Sequence, residues 1–271
     1  MSVDLDKYFR RIGYSGMRDA SFATLRALHN LHPQAIAFEN LDPLLKRPVK
    51  LDSVSLQAKM VEGGRGGYCF EHNSLFANVL RQLGFKVQEA TARVRWSVPP
   101  GVRTPRVHCL LFAEAEGESY LVDVGFGGNV LTAPLKLTSR EEQKTPHEDF
   151  RLVDEDDHIV RQEAKIAGQW TPLYAYDFAD TDPADYEMGN WLTSTHPESI
   201  FVNGLMAARV EPGKRYALKD NQLAIHSAGG TEKKTLNKGE LRDALTDLFK
   251  LNLRELDGFD PVLAKLAASA A

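Results

Sequence analysis

Apolar residues in the first 84 positions recur with the period of an amphipathic helix. They do so every three or four positions in three stretches, residues 5–12, 22–28 and 70–83. One face of a helix buries residues at that spacing, so each stretch is predicted to be a helix. Gly13 and Gly84 follow the first and third stretches and are typical of helix ends. The pattern therefore predicts a helical region over residues 1–84.

The pattern changes at Phe85 to short apolar runs that are separated by turn residues. Six runs have the length and composition of strands, residues 87–96, 107–112, 120–124, 150–153, 158–164 and 170–176. Residues 114–118 are predicted to be a hairpin turn. Pro172 lacks a backbone N–H, which predicts that the last strand lies at a sheet edge. A series of strands with turns between them favours an antiparallel barrel or sandwich.

A mixed region begins near Asp182. It contains two predicted helices and two predicted strands, in the order helix 184–194, strand 201–210, strand 216–226 and helix 241–251. Asp220 and Asn221 are turn residues inside the second strand. Because helices come first, strands second and a mixture last, the chain is predicted to be α+β and not an alternating α/β protein.

Composition and charge restrict the class of protein. The chain has 271 residues, 43% hydrophobic and 26% charged, and no apolar run approaches a membrane span, so we expect a soluble protein outside the membrane. Two cysteines argue against a disulfide framework, and the charged first residues do not resemble a secretory signal. Both observations favour a cytoplasmic protein. The net charge of −4 gives no general attraction to nucleic acid.

The first candidate for chemistry is Cys69, which lies in the sequence Arg-Gly-Gly-Tyr-Cys-Phe-Glu-His-Asn at residues 65–73. It comes directly after a glycine-rich turn and at the start of a predicted helix. The positive end of a helix dipole favours a thiolate, so this position suits a nucleophile. The alternative is a buried structural cysteine, which is a common role for this residue.

His108 and Asp123 are the candidate partners of Cys69. Each is a polar residue in an apolar predicted strand, where burial is costly unless the group is paired. If the two strands form a hairpin, Asp123 can accept a hydrogen bond from one imidazole nitrogen while the other faces Cys69. The alternative is a structural His–Asp pair that joins two strands.

The remaining histidines are weaker candidates for a catalytic base. His72 shares the predicted helix with Cys69 and is poorly placed to reach a thiol at its end. The others lie in polar or loop-like sequence and are predicted to be solvated: His29, His32, His147, His158, His196 and His226. Cys109 follows His108 and is predicted to point to the opposite face of the strand as inert packing.

Four motifs together resemble the arylamine N-acetyltransferases. They are residues 65–73 around Cys69, the later His108, Asp123-Val-Gly-Phe-Gly-Gly128, and Phe38-Glu-Asn-Leu-Asp42. The resemblance implies an α+β fold with an N-terminal helical bundle, a central antiparallel β-barrel and a C-terminal α/β lid. It also implies a cysteine-protease-like triad of Cys69, His108 and Asp123. The corresponding domains are residues 1–84, 85–190 and 191–271.

The resemblance further implies acetyl transfer from acetyl-CoA to an arylamine, an arylhydrazine or an N-hydroxyarylamine through an acetyl-cysteine. Acetyl-CoA is then a co-substrate, and no metal is expected. Arg103 and Thr104 lie in the segment that resembles the CoA-contacting loop of the family. Gly125 and Gly127 can turn backbone N–H groups toward the bound cofactor.

Phe38 and Phe126 are expected to line an apolar acceptor pocket. Arg65 is predicted to pair with Glu39 or Asn40 and to brace the loop before the cysteine. Three other functions stay open on the sequence: a Cys-His-Asp hydrolase or amidase, an amide synthase on the same fold, and a non-enzymatic small-molecule-binding protein. A monomer and a homodimer are both compatible with the sequence.

Overall fold

The helices of the amino-terminal region form where the apolar periodicity predicts them. The computed structural model describes residues 2–99, 101–254 and 256–268. Its first helical elements are α1 (Leu5–Ile12), α2 (Phe22–Ala35), α3 (Leu41–Leu44), α4 (Ser53–Leu56), a π-helical segment (Gln57–Glu62) and α5 (Cys69–Gln82). Gly13 ends α1 in the left-handed conformation at φ 70°, and the Asp4 carboxylate accepts from Lys7 N at its start. The apolar faces of α1, α2 and α5 pack into one core.

Three histidines are buried in this core, which corrects the prediction that His29 and His32 are solvated. Both lie on the α2 face that also carries Leu25 and Leu28, one helical turn apart, and neither is exposed. Tyr8 Oη lies 2.8 Å from His32 Nδ1, and His32 Nε2 lies 2.8 Å from His72 Nδ1. The spacing of Leu25, Leu28, His29 and His32 already indicated burial, because residues at i, i+3, i+4 and i+7 share one face.

Burial makes His72 a source of acid sensitivity. Desolvation lowers its pKa to about 4, against roughly 6.5 in an unfolded chain. Between these values the unfolded state binds a proton that the folded state does not, so stability falls as the pH falls. For one such histidine the loss from pH 7 to pH 5 is about 2 kcal/mol.

Between pH 7 and pH 5, the wild-type protein is expected to lose about 2 kcal/mol more of its free energy of unfolding than His72→Gln loses. Urea unfolding at the two pH values measures this difference, in which titrating groups that do not contact His72 cancel. His158→Gln is the matched control, because His158 is exposed. An equal pH dependence in His72→Gln and in the wild-type protein would contradict the assignment.

The strands after Phe85 form a curved antiparallel sheet. They are β2 (Lys86–Val94), β3 (Arg106–Ala115), β4 (Glu118–Val122), β5 (Leu135–Lys136), β6 (Gln143–Lys144), β7 (Asp149–Asp154), β8 (Val160–Ile166) and β9 (Gln169–Tyr176). Among the described residues their order is β5-β4-β3-β2-β9-β8-β7-β6, which gives a nearly closed barrel. The β3–β4 turn contains Glu116 and Gly117, both at positive φ, as the predicted hairpin requires.

Pro172 does not lie on an edge strand, so that prediction was wrong. Strand β9 lies between β2 and β8. The pairing of β9 with β2 covers residues 174–176 only, and Pro172 faces Glu163 of β8 next to an irregularity in register. Pro172 thus lies outside the β2–β9 pairing, and its missing N–H breaks no hydrogen bond of that pairing.

The last region combines a second sheet with helices. Its elements are α6 (Pro183–Thr195), α7 (Ile200–Asn203), β10 (Met206–Glu211), β11 (Lys214–Lys219), β12 (Gln222–Ser227), β13 (Gly230–Thr235), α8 (Lys238–Asp243), a π-helical segment (Ala244–Leu248) and α9 (Phe259–Ala268). The predicted strand at 201–210 is shorter than expected. The Ser199 hydroxyl accepts from Phe201 N and starts a helical turn there.

The second sheet recruits a strand from the amino-terminal region. Strand β1 (Phe38–Glu39) pairs with β10, through Phe38 with Ala208 and Glu39 with Ala207. The sequence pattern did not reveal β1, because two residues carry no period. The α+β class is confirmed, whereas the domain boundaries after residues 84 and 190 stay a prediction. In the part of the chain that the structure describes, no helix is long and apolar enough to span a bilayer.

Candidate active site

Cys69 is the first residue of α5 and follows a loop that packs tightly on β1. A Cβ atom on Gly66 would lie 1.9 Å from Ala37 O, so only glycine fits at that position. Glu39 N donates to Gly67 O at 2.8 Å, which ties the loop to the strand. Tyr68 N donates to Glu71 Oε2 at 3.1 Å at the start of the helix. These contacts fix the position of Cys69, whose exposed fraction is 4%.

His108 and Asp123 form the hydrogen-bonded pair that the sequence predicted. His108 Nε2 lies 2.8 Å from Asp123 Oδ2, and both residues are buried. Because Nε2 faces Asp123, Nδ1 is the ring nitrogen left for Cys69, which interacts electrostatically with His108. One detail differs from the prediction: β4 ends at Val122, so Asp123 lies just beyond the strand and not within it.

The charges of these three groups support one another. Burial alone would raise the pKa of Cys69, but hydrogen bonds from Cys109 and His108 lower it to about 6. Burial likewise opposes the charge on His108, but Asp123 and Cys69 raise its pKa to about 10. The pKa of Asp123 is lowered by His108 against the effect of burial. At neutral pH the site therefore holds a thiolate, an imidazolium and a carboxylate.

Asn73 and His29 complete the surroundings of Asp123, and the sequence reasoning missed both. Asn73 Nδ2 donates to Asp123 Oδ1 at 3.0 Å, and Val124 N donates to Asn73 Oδ1 at 3.1 Å. Asp123 N donates to His29 Nε2 at 3.1 Å. The sequence contains one indication that Asn73 lies near the site. It follows Cys69 by four residues, which puts both side chains on one face of α5.

Buried ion pairs brace the loop before Cys69. Arg65 donates from Nε to Glu39 Oε1 at 2.8 Å, and its Nη2 lies 3.4 Å from Asp42 Oδ1. Lys59 Nζ lies 2.5 Å from Asp42 Oδ2 and 2.6 Å from Glu71 Oε1. The predicted pairing of Arg65 with Glu39 is thus confirmed. Glu71, which also caps α5, connects the ion pairs to the helix that carries Cys69.

Asn40, the other predicted partner of Arg65, has a different role. Its Nδ2 donates to Phe201 O and Gly204 O, both at 2.7 Å, and its Oδ1 accepts from Met206 N at 2.7 Å. These are backbone groups of α7 and of the start of β10. Asn40 therefore fastens the chain after residue 200 to the loop near the candidate site.

Phe38 and Phe126, the predicted acceptor-binding residues, are half-buried beside the site. The Phe126 ring meets His108 edge-on at a centroid distance of 4.9 Å. Phe38 lies close to Gly127, where a Cβ would be 3.6 Å from its ring, and against Phe201 at 6.0 Å. Phe126 offers apolar surface next to His108 and Phe38 offers it next to Gly127. The contact of either ring with an acceptor stays a prediction.

Gly125 and Gly127 lie in the turn after Asp123. A Cβ on Gly125 would lie 2.9 Å from the Cα of Cys69, so glycine is needed for the close contact with α5. Its N–H donates to Asp123 Oδ1 at 2.9 Å. Because this N–H already has an acceptor, it is not free to stabilise a negatively charged oxygen of a reaction intermediate. Gly127 has φ 64°, a conformation that favours glycine. The contact of these two glycines with CoA stays a prediction.

The loop between β2 and β3 contains Arg103 and Thr104, the predicted CoA-binding residues. Three nearby arginines have partners: Arg93 donates to Thr104 O, Arg95 to Glu155 and Arg106 to Asp177. Thr104 Oγ1 donates to Val94 O at 2.9 Å and fixes the loop. Arg103 is exposed. The structure leaves Arg103 as the arginine of this loop that is most accessible to an anion.

Comparison with known proteins identifies the class. A sequence-family model described as N-acetyltransferase matches residues 21–257. The chain is 41% identical over 274 residues to an arylamine N-acetyltransferase of Mycolicibacterium smegmatis, which covers 98% of each chain. The structure of the Mycobacterium marinum arylamine N-acetyltransferase matches with a TM-score of 0.94 at 41% identity, over 98% of this chain and 99% of that one. The complex of the M. marinum enzyme with CoA matches with a TM-score of 0.92 at 40% identity, over 97% and 98%.

The fold and these matches define an acyltransferase with a cysteine at the start of a central helix. The agreement covers nearly the whole length of the chain and of its relatives, at an identity that fixes a common family. The chain belongs to the arylamine N-acetyltransferase family.

Proposed function

We propose that the chain transfers an acetyl group from acetyl-CoA to arylamines, arylhydrazines or N-hydroxyarylamines, by a ping-pong mechanism through acetylated Cys69. The observation that carries this proposal is the position of Cys69 beside the hydrogen-bonded pair of His108 and Asp123. A thiolate, a base and an orienting carboxylate are the groups that a cysteine nucleophile requires. Membership of the family supports the choice of acetyl-CoA as the donor.

In the first half-reaction the Cys69 thiolate attacks the thioester carbonyl of acetyl-CoA. A new carbon–sulfur bond forms, the bond to the CoA sulfur breaks, and His108 gives its proton to the departing thiolate. One thioester replaces another, so the step is close to thermoneutral and the enzyme mainly lowers its barrier. The backbone N–H groups in the first turn of α5 have no carbonyl partner within the helix and suit the developing oxyanion.

In the second half-reaction the acceptor nitrogen or oxygen attacks the acetyl-cysteine. His108, now neutral, takes the proton of the acceptor, and the Cys69 thiolate leaves. Asp123 holds the ring through Nε2, so that Nδ1 faces the reacting atoms. Phe38 and Phe126 supply an apolar surface for an aromatic acceptor. Arylamines suit such a base because their free amine is abundant at neutral pH.

The donor is expected to bind with its phosphates near the loop between β2 and β3. Arg103 is exposed there, and Thr104 fixes the loop through Val94 O. The CoA complex of the M. marinum relative supports CoA as the donor molecule. We place Gly125 and Gly127 at the reacting end of the donor, where Gly125 contacts Cys69 and keeps the turn close to the thioester.

The test is the intact mass of the protein after treatment with acetyl-CoA in the absence of an acceptor. We expect a gain of about 42 Da, the mass of one acetyl group, that adding an arylamine removes. Cys69→Ala is expected to show no gain. Cys109→Ser is the matched control, because it removes the other cysteine while it keeps Cys69 and a hydrogen-bond donor beside it.

Other results would support other functions. Hydrolysis of an amide or peptide without any acetyl adduct would support a thiol hydrolase. A Cys69 adduct that forms only from a longer acyl donor, and that is released when an amine of the same acyl chain attacks its thioester, would support an amide synthase. Slow alkylation of Cys69 by iodoacetamide near neutral pH would support a binding protein, because a thiolate reacts rapidly.

A further inference from the structure

The second cysteine, Cys109, lies against Cys69. The sequence predicted inert packing on the far face of the strand, and the structure corrects this. Cys69 and Cys109 belong to one small buried cluster with Tyr68, Phe70 and Tyr186. Their side chains interact electrostatically, and both are free thiols. The two cysteines of this chain therefore meet at the proposed nucleophile.

Asn73 holds Cys109 in this position. Asn73 Nδ2 donates to Cys109 O at 2.8 Å and lies 3.9 Å from Cys109 Sγ. Asn73 comes one helical turn after Cys69, so the two side chains lie on the same face of α5. That face therefore carries Cys69 and is hydrogen-bonded to β3 at Cys109. The neighbouring carbonyl of Val107 lies 3.8 Å from Cys69 Sγ, which confirms that β3 passes directly over the helix start. The contact is thus built into the packing of α5 on β3.

The two thiols differ in reactivity. Cys69 is a thiolate near neutral pH, since its pKa is lowered to about 6 despite burial. Burial and the neighbouring Cys69 raise the pKa of Cys109, which therefore stays protonated. Peroxides oxidise thiolates and spare protonated thiols, so Cys69 is the group that reacts first. Cys109 is then the nearest thiol to the oxidised sulfur.

We propose that Cys69 and Cys109 form a reversible intramolecular disulfide when the protein meets a peroxide. The Cys69 thiolate attacks hydrogen peroxide, the O–O bond breaks, and hydroxide leaves behind a sulfenic acid on Cys69. The Cys109 sulfur then attacks the Cys69 sulfur, and the sulfenic hydroxyl leaves with the proton of Cys109 as water. In total, two thiols lose two electrons and one peroxide becomes two molecules of water.

This disulfide protects the nucleophile. A sulfenic acid without a nearby thiol is oxidised further to a sulfinic acid, which thiols do not reverse. A disulfide stops that sequence and returns to two thiols when a reducing thiol is added. The proposal rests on the Cys69 thiolate and on its contact with Cys109, and it does not require that the thiolate accepts an acetyl group.

The experiment compares the wild-type protein with Cys109→Ser after treatment with a few equivalents of hydrogen peroxide. Serine retains a hydrogen-bond donor beside Cys69 but cannot form a disulfide. We expect the wild-type mass to fall by about 2 Da and the variant mass to rise by about 32 Da, the mass of a sulfinic acid. After dithiothreitol, iodoacetamide labelling of Cys69 is expected to recover at least about tenfold more in the wild-type protein than in the variant.

Several results would overturn the proposal. One is a sulfinic acid that forms on Cys69 at the same rate in both proteins. Another is a disulfide that links two chains, which appears as a dimer on a non-reducing gel. A third is a Cys69 that reacts with neither peroxide nor iodoacetamide. Because the readout is mass and labelling, a protein that forms the disulfide but takes no acetyl group refutes only the proposed function.

Discussion

Replacing Asp123 by asparagine is expected to lower kcat/KM for acetyl transfer by about 10³-fold to 10⁴-fold with little change in the fold. Asp123 Oδ2 accepts from His108 Nε2, and Oδ1 accepts from Asn73 and from Gly125 N. An asparagine keeps its oxygen on the two donors and turns its NH₂ group toward His108. His108 Nε2 must then accept, so the proton moves to Nδ1, which faces Cys69. A ring in that tautomer cannot take a proton from the acceptor.

The same substitution is expected to shift the ionisation of the nucleophile. In the wild-type protein, iodoacetamide alkylation of Cys69 should increase with pH around the pKa of about 6. Without the carboxylate, burial disfavours the charged form of His108, and the thiolate loses its positive neighbour. This loss is expected to outweigh the direct repulsion between Asp123 and the thiolate, so the midpoint is expected at a higher pH. Asp154→Asn is the matched control, since Asp154 pairs with Arg140 at the surface and away from the site. A loss of less than about tenfold in kcat/KM would show that Asp123 does not orient the base.

Replacing Arg65 by glutamine is expected to lower the free energy of unfolding by about 3–5 kcal/mol. Arg65 pairs with Glu39, whose side chain is fully buried, and contacts Asp42. Without Arg65, the carboxylate of Glu39 stays buried next to Asp42 with its main counter-charge removed. An uncompensated buried charge is costly, which is why the expected loss exceeds that of a surface ion pair.

Urea unfolding measures this loss, and two further variants isolate its cause. Arg81→Gln breaks a more exposed pair with Glu89 and is expected to cost less than about 1 kcal/mol. Adding Glu39→Gln to Arg65→Gln removes the unpaired charge and is expected to restore part of the stability. An Arg65→Gln protein as stable as the wild-type protein would contradict the bracing role of this residue.

How well the sequence predicts a helix or strand depends on the length of the element. Long periodic helices such as α1 and α5 and the hairpin of β3 and β4 followed from the sequence, because their apolar spacing repeats over several turns or strand residues. Strand β1 is two residues long and has no period. Residues 201–203 were predicted as part of a strand, yet the Ser199 cap makes them a helical turn. Local capping overrode the apolar pattern there.

The sequence by itself pointed to Cys69, His108 and Asp123 as the candidate site: Cys69 follows a glycine-rich turn, and His108 and Asp123 are polar groups that need a partner in apolar segments. It also predicted the α+β class, and it named Glu39 and Asn40 as the candidate partners of Arg65, of which the structure selects Glu39. Only the tertiary structure decided which other residues support them. Asn73, His29 and Cys109 come from α5, α2 and β3, and their contacts depend on how those elements pack across the core. A pattern along the chain records which face of an element is buried, whereas the residue that meets it comes from a distant segment and leaves no local signal.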